Sequence, residues 1–286
     1  MVSQYILKPR NQDETDYFNR DGNNSKRYYP YIAVNEHLFM SFAKNELGFD
    51  VPYSGIIKAK DTDYHYITKR YDRLDGVKYN QVDFAQVLNI QSKNKYKGSS
   101  EQLFEAINIK LSTKEAKLEA IRFYFYSALI QNADLHLKNI GALEISNDKY
   151  ILTPLYDIAS MGVYNGQTYD LGLMIYNNKP KNIRLEAFVK LAKIVGISEL
   201  EFKKVARKIT EIYIERIPQY IKKLQKFEKE NSLPMQKSRK NKMVQFSTRL
   251  ENSFNEKVIS LKKLGIIDAL ALTKKAGGVL NVQGKK

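Results

Sequence analysis

The hydrophobic and polar positions of residues 1–70 follow two different periodicities. The short aromatic and β-branched run SQYILKP (3–9), which ends at a proline, predicts a strand. From Ala33 to Leu47 the apolar residues recur at helical spacing. The runs VPYSGIIKA (51–59) and YHYITKRYD (64–72) predict two more strands. The order strand, helix, strand, strand is typical of a small α+β lobe.

Beyond Tyr71 the periodicity becomes mainly helical. Apolar residues at helical spacing predict helices over 81–90, 101–111 and 114–131, and a long helical region over 185–275. The stretch KYILTPLYDIAS (149–160) is instead predicted to be extended, with a proline interruption.

These elements predict a mainly helical α+β protein with two lobes. We expect a small N-lobe over residues 1–70, a larger helical C-lobe over 71–286, and a hinge near 69–73.

A cluster of polar residues follows the predicted helix 114–131, in the stretch QNADLHLKNIGAL (131–143). Asp134, His136, Lys138 and Asn139 would not share one face of an α-helix, so their spacing favours a loop that can point them into a cleft. The alternative is a helix C-terminal turn whose polar side chains are capping groups or solvated. Spacing alone leaves both interpretations open.

Composition limits the classes of partner and site. The 286 residues contain no cysteine, which excludes disulfides and thiolate metal sites. No stretch approaches the roughly 20 apolar residues of a membrane span, and the N-terminus lacks the pattern of a classical signal peptide. The net charge of +16 fits either a solvated lysine-rich surface or attraction to nucleic acid, an anionic membrane or an acidic partner.

The polar cluster has the residue types that phosphoryl transfer needs. A kinase uses one carboxylate to orient the attacking hydroxyl, and an amide oxygen and a second carboxylate to hold Mg²⁺ against the phosphates. Protein kinases place the first carboxylate and the amide five residues apart. Asp134 and Asn139 have this offset, and Asp157 follows a predicted strand, as the metal carboxylate does in kinases.

Together these motifs resemble the HipA family, bacterial serine/threonine kinases first known as toxins of toxin–antitoxin pairs. NADLHLKN followed by LTPLYDIAS is similar to the family's catalytic and metal-binding motifs. TKRYDR, followed by NQVDFAQVLNI and a KYKG turn, resembles its hinge and the segment after it. YILKP resembles its lysine strand, and VNEHLFMSFAKNELGFDVP its first helix. The resemblance extends in order over residues 5–160 and implies a two-lobed, protein-kinase-like fold.

The resemblance implies ATP and Mg²⁺ as cofactors, and roles for residues of the polar cluster. Asp134 corresponds to the catalytic base, and Asn139 and Asp157 to the Mg²⁺ ligands. His136 and Lys138 are implied near the phosphates, although a purely structural role for His136 fits equally well.

Further residues correspond to the nucleotide site of the family. Lys8 resembles the phosphate-binding lysine, and Glu36 is expected to hold it by an ion pair. Taken alone, they would be a strand-end lysine and a helix-surface acid. Lys69 and Tyr71 resemble hinge positions whose backbone groups bind adenine, and Gln81 matches a residue near the ribose.

The chain also departs from the family pattern. HipA-like chains carry an N-terminal module and then a glycine-rich loop with a regulatory serine before the lysine strand, whereas this sequence begins at the strand. Either this sequence begins late in the natural protein, or another segment grips the phosphate, for which the loop NRDGNNSKRYY (19–29) is a candidate. These departures favour a stand-alone kinase. Size and composition are also similar to those of a secreted member that acts on host inflammatory signalling.

We therefore expect an ATP-dependent serine/threonine protein kinase that acts on a protein substrate, autophosphorylates, and works in the bacterial cytoplasm or as a secreted virulence effector in host cells. One alternative is a toxin kinase acting on a bacterial translation component. Another is a basic nucleic-acid-binding protein, for which QKSRKNKMVQFSTR (236–249) is a candidate contact segment. A pseudokinase that binds nucleotide without transferring phosphate is a further alternative.

Overall fold

The N-terminal part of the protein is a three-stranded antiparallel sheet covered by one helix. The computed structural model describes residues 3–9, 29–60, 63–74, 77–164, 168–237 and 242–272. The strands are β1 (Tyr5–Lys8), β2 (Ser54–Lys58) and β3 (Tyr64–Lys69), in the order β1-β3-β2. Lys8, at the end of β1, is paired with Tyr66. The predicted strands are confirmed, and the proposed phosphate-gripping loop lies almost entirely outside the described residues.

The helix α1 (Ile32–Asn45) packs against β2 and β3, as its apolar periodicity predicts. Its apolar side chains, among them Phe39 and Phe42, are buried in the core. Glu36 is also buried on this helix, which is unusual for an acid and points to a charged partner.

A second three-stranded antiparallel sheet packs against the helical part of the protein. It consists of β6 (Gln81–Asp83), β7 (Gly141–Ser146) and β8 (Lys149–Leu152), while β4 (Arg73–Leu74) and β5 (Val77–Lys78) form a separate hairpin. The predicted helix over 81–90 is therefore wrong in its first part. Residues 81–83 pair with β7, and only α2 (Phe84–Val87) is α-helical. Asp83 is the N-cap of α2, where its side chain accepts from the Gln86 N–H.

Helices make up most of the remaining chain. They are α3 (Ser100–Lys110), α4 (Lys114–Leu129), α5 (Leu185–Ile194), α6 (Glu199–Glu230), α7 (Phe246–Lys263) and α8 (Ile266–Ala269), with a small hairpin of β9 (Gln236–Lys237) and β10 (Met243–Val244) before α7. The predicted helices over 101–111 and 114–131 are confirmed, and the basic interruption SRKNK lies mostly outside the described residues. Within the described ranges, no helix is long and apolar enough to cross a membrane.

The core is centred on α4, whose C-terminal half is buried on all sides. Phe125 packs edge-on against Phe188 of α5, with ring centroids 5.2 Å apart, and against Phe202 of α6, at 5.7 Å. Such aromatic contacts bury large apolar areas and fix the orientation of α4. The loop that leaves the C-terminal end of α4 therefore starts from a rigid base.

The helix α7 supports the chain that follows Asp157. Lys257 on α7 forms a buried ion pair with Asp170, Nζ to Oδ1 2.7 Å, and both side chains are at most 7% exposed. Ser253, on the same helix, donates a hydrogen bond to Gln131 at the start of the polar loop. A Cβ added to Gly162 would lie 2.2 Å from the Gln131 side chain, so only glycine fits there without a shift.

Replacing Lys257 by methionine should lower the free energy of unfolding by about 3 kcal/mol or more, because Asp170 would keep a buried charge without its cation. Urea denaturation measures this. Lys222→Met, at an exposed position of α6, is the matched control and should change stability by about 0.5 kcal/mol at most. Lys257→Met/Asp170→Asn should recover part of the loss, and a single variant as stable as the control would contradict a stabilising ion pair.

Candidate functional site

The polar stretch after α4 is a loop, as its side-chain spacing predicts. Gln131 adopts a left-handed conformation, φ +56°, which ends the helix, and residues 137–139 form one 3-10 turn before β7. Leu135 and Leu137 are buried and anchor the loop in the core. His136 and Asn139 are also buried, 5% and 4% exposed, so the alternative of a turn with solvated side chains is wrong.

Asn139 connects this loop to Asp157. Its Oδ1 accepts from the backbone N–H of His136 at 2.9 Å, and its Nδ2 donates to Oδ2 of Asp157 at 2.5 Å. Because a backbone N–H can only donate, the first bond fixes which end of the carboxamide is the oxygen. The two side chains assigned to the metal are therefore adjacent, although they come from different segments.

Asp157 also contacts the N-terminal sheet. Its Oδ1 accepts from Nζ of Lys8 at 2.7 Å, and the same ammonium donates to Oε1 of Glu36 at 2.8 Å. The predicted ion pair between Lys8 and Glu36 is thus present. Asp157 has a φ of +59°, a left-handed conformation that is uncommon for residues other than glycine. One lysine therefore joins strand β1, helix α1 and the segment after β8.

The charges of these three residues shift their protonation equilibria. Burial alone would lower the pKa of Lys8, but the carboxylates of Asp157 and Glu36 raise it above its ordinary value. Burial alone would raise the pKa of Asp157, but the charge and hydrogen bond of Lys8 hold it below its usual range. Burial, with the nearby charge of Asp157, raises the pKa of Glu36 to about 7. Asp157 is therefore the carboxylate that stays ionised at neutral pH.

A cleft of about 480 Å³ opens beside this group. Most of its lining side chains are cationic or polar: Lys8, Ser92, Lys93, Lys95, His136, Lys138, Asn139, Tyr156 and Asp157. Four lysines and one carboxylate give the cleft an excess of positive charge. Such a surface is suited to polyanions such as the phosphates of a nucleotide.

The segment 92–98, which includes the KYKG turn, supplies site residues whose role no sequence pattern predicts. Nζ of Lys95 lies 2.6 Å from Nε2 of His136, and Nζ of Lys138 donates to Oγ of Ser92 at 3.0 Å. Burial, and to a smaller extent the charge of Lys95, lowers the pKa of His136. Its neutral ring can therefore accept a hydrogen bond from the Lys95 ammonium. In the sequence, only the family resemblance points to this turn, and no residue spacing distinguishes Ser92 or Lys95 from other polar residues.

Asp134 is exposed and lies outside the lining of the cleft as described. Its Oδ1 accepts a hydrogen bond from the hydroxyl of Tyr96. The ring of Tyr96 meets His136 edge-on, with centroids 5.1 Å apart. Asp134 is thus connected through Tyr96 and His136 to the side chains that line the cleft.

Two of the predicted adenine and ribose residues, Tyr71 and Gln81, are brought together next to Tyr156, whereas Lys69 is not. Tyr71 stacks on Tyr156, with ring centroids 5.6 Å apart, and its hydroxyl donates to Oε1 of Gln81. The backbone N–H of Lys69 donates to the Tyr53 carbonyl at 2.8 Å, and the Lys69 carbonyl accepts from the Thr68 hydroxyl at 3.5 Å, so one lone pair of that carbonyl remains to meet a ligand. The side chain of Lys69 is exposed. Because Tyr156 lines the cleft, Tyr71 and its partner Gln81 lie at the edge of the cleft.

Comparison with known families is consistent with this arrangement. A model of the HipA-like C-terminal domain matches residues 1–219. The chain is 32% identical over 178 residues to a putative kinase of Haemophilus influenzae, covering 56% of this chain and 51% of the relative. It is 30% identical over 144 residues to the putative kinase Y4dM of Sinorhizobium fredii, covering 46% and 35%. The chain thus spans about half the length of the first relative and about a third of the second.

A solved structure shows a similar fold. HipA of Shewanella oneidensis MR-1, solved with HipB and operator DNA, superposes with a TM-score of 0.64 at 21% identity, over 85% of this chain and 58% of HipA. This match confirms the predicted kinase-like α+β fold. The proinflammatory kinase CtkA of Helicobacter pylori gives a TM-score of 0.49 at 14% identity, over 84% of this chain and 88% of CtkA. At that level the likeness to CtkA does not extend to function.

Proposed function

Because the chain belongs to the family of HipA-like C-terminal domains, we propose that it is an ATP-dependent kinase that phosphorylates serine or threonine in a protein substrate. The observation that carries the proposal is the set of contacts from Glu36 through Lys8 and Asp157 to Asn139. These contacts join a strand lysine, a helix glutamate and two candidate metal ligands beside a cationic cleft. Phosphoryl transfer requires this combination of charges.

The cleft residues would bind and orient the nucleotide. Lys8 would neutralise phosphate charge, and Glu36 keeps its ammonium in place. Lys138, Lys93 and Lys95 would contact the terminal phosphates. At the other end, the carbonyl of Lys69 and the N–H of Tyr71 would bond adenine, while Gln81 would lie near the ribose. Transfer would then depend on these side chains holding the γ-phosphate in line with a hydroxyl at Asp134.

Asn139 and Asp157 are the residues that would hold Mg²⁺. Among the described residues, no three histidine, aspartate or glutamate side chains cluster as a metal site. Mg²⁺ in kinases needs only one or two protein ligands, because phosphate oxygens and water supply the rest, so this pair fits. The metal, when bound, would neutralise charge on the β- and γ-phosphates. Its binding would replace the hydrogen bond between the two side chains.

Asp134 would act as the general base. Its exposed carboxylate is accessible to a protein hydroxyl, which would donate its proton to Asp134 as the oxygen attacks phosphorus. The protein substrate, a role as secreted effector or toxin kinase, and a location in the bacterial cytoplasm or the host cell remain proposals. The chain has all three polar residues assigned to catalysis, Asp134, Asn139 and Asp157, which argues against a pseudokinase.

Nucleic-acid binding is a second candidate, supported by the net charge of +16. The proposed contact segment 236–249 is only partly described, because residues 238–241 lie outside the described ranges. A mobility-shift titration with random DNA and RNA at several salt concentrations tests this candidate. Binding that weakens steeply with salt would support it.

The kinase proposal is tested with purified protein, radiolabelled ATP, Mg²⁺ and myelin basic protein as a generic acceptor. We expect transfer by the wild type and a loss of about 10²-fold in Lys8→Met, because a positioned phosphate contact is removed. Lys58→Met, an exposed lysine on β2 of the same sheet, is the matched control and should keep full activity. Equal activity in both variants would mean that Lys8 has been misassigned.

A second variant separates activity from folding in this test. Lys8→Met leaves the buried Glu36 without its cation, although a carboxyl with a pKa of about 7 can take up a proton and limit the cost. Lys8→Met/Glu36→Gln removes the unpaired charge altogether. If the double variant melts near the wild-type temperature and is still inactive, the loss belongs to catalysis. Recovered activity would assign Lys8 to folding instead.

A further inference from the structure

The hydroxyl of Tyr96 lies next to Asp134, the residue proposed above as the general base. Tyr96 follows a 3-10 turn over Ser92–Asn94, and its hydroxyl donates a hydrogen bond to Oδ1 of Asp134. The segment is held against the catalytic loop by a second contact, from the N–H of Leu137 to the carbonyl of Lys95 at 3.4 Å. These two hydrogen bonds hold the phenol of Tyr96 next to Asp134 of the same chain.

The role proposed for Asp134, that of a general base, makes its hydrogen bond with Tyr96 relevant to catalysis. A general base must lie within hydrogen-bond reach of the proton that it removes. If Asp134 is the base, the hydroxyl that donates to it occupies the acceptor position. Burial, and to a smaller extent the hydrogen bond to Asp134, raises the pKa of Tyr96. Its phenol therefore keeps its proton and needs a base to become a nucleophile.

The surroundings of Tyr96 can accommodate a phosphate. The side chain is 42% exposed, so its hydroxyl is not enclosed by the core. Lys93 and Lys95, on the same segment, line the adjoining cleft with Lys138. These ammonium groups can form charge-assisted hydrogen bonds to phosphate oxygens.

We propose that Tyr96 is an autophosphorylation site, modified within its own chain at the site proposed for protein substrates. The inference rests on the proposed kinase function and assigns one acceptor to it. The phenol oxygen of Tyr96 attacks the γ-phosphorus of Mg-ATP, and its proton passes to the carboxylate of Asp134. An oxygen–phosphorus bond forms to Tyr96, the bond between the γ-phosphorus and the β,γ-bridging oxygen breaks, and ADP leaves with that electron pair.

The test is incubation of the full chain with radiolabelled Mg-ATP, with and without myelin basic protein, followed by phosphopeptide mass spectrometry. We expect phosphate on Tyr96, accumulating at a fractional rate that does not change with protein concentration, because transfer within one chain is first order. Tyr96→Phe should reduce the phosphotyrosine signal to that of Asp134→Asn. Tyr53→Phe, at a tyrosine that is 68% exposed on the N-terminal part, is the matched control and should retain the signal.

The outcomes separate this inference from the kinase proposal. Phosphorylation of myelin basic protein without phosphate on Tyr96 would overturn the inference alone. Phosphate on Tyr96 whose fractional rate rises with protein concentration would overturn transfer within one chain. Wild-type protein that labels neither acceptor would contradict the kinase proposal itself. Phosphate on both acceptors would support both proposals, and phosphate on Tyr96 alone would support this inference but not transfer to a protein serine or threonine.

Discussion

Asp134→Asn is expected to lower kcat by about 10²-fold or more while the affinity for Mg-ATP stays within a few-fold of the wild type. Asp134 is assigned to the acceptor hydroxyl, which nucleotide binding does not require. Asparagine has nearly the same shape and keeps an oxygen that can accept from Tyr96, so the local structure should persist. Single-turnover phosphorylation and calorimetric titration of Mg-ATP measure the two quantities separately.

The matched control for this variant is Asp148→Asn. Asp148 is exposed in the turn between β7 and β8 and lies outside the lining of the cleft. It should change neither quantity. Both variants should melt near the wild-type temperature, because exposed substitutions of this kind usually change stability by about 0.5 kcal/mol at most. Loss of Mg-ATP binding in Asp134→Asn would show that the carboxylate belongs to the nucleotide site instead.

The fold was predictable where a local pattern extends over enough residues. Helices α1, α3 and α4 carry apolar residues at helical spacing over three or more turns, and β1 to β3 are bounded by turn residues. Residues 81–83 form too short a strand to establish a period, and their partner β7 begins about 60 residues later. The apolar residues that follow therefore extended the predicted helix too far towards the N-terminus. The division near residue 70 remains a prediction.

The site was predictable only in part, because most of its contacts join distant segments. The spacing of Asp134 to Asn139 favoured a loop, and the family resemblance supplied the expected roles. Lys95 and Tyr96 are 41 and 38 residues from their partners His136 and Asp134. With 47 basic residues in the chain, composition could not distinguish the few lysines of the cleft from those of the surface.

Asp157→Asn tests the metal assignment and should affect nucleotide binding as well as catalysis. Removing the carboxylate should weaken Mg-ATP binding by about tenfold or more, because a charged metal ligand is lost. Asparagine suits this position better than alanine, since it tolerates the left-handed backbone at φ +59°. Lys8 keeps its ion pair with Glu36, so the fold should persist.

The decisive measurement for Asp157→Asn is ATP affinity with and without Mg²⁺. In the wild type, Mg²⁺ should strengthen ATP binding, because Asp157 and Asn139 would hold the metal, which would offset the charge of the phosphates. In the variant, this dependence should largely disappear, while affinity for metal-free ATP should stay equal or rise, since a carboxylate facing the phosphates has been removed. Asp134→Asn should retain the full Mg²⁺ dependence. If Asp157→Asn retains it and Asp134→Asn loses it, the roles of the two carboxylates are reversed.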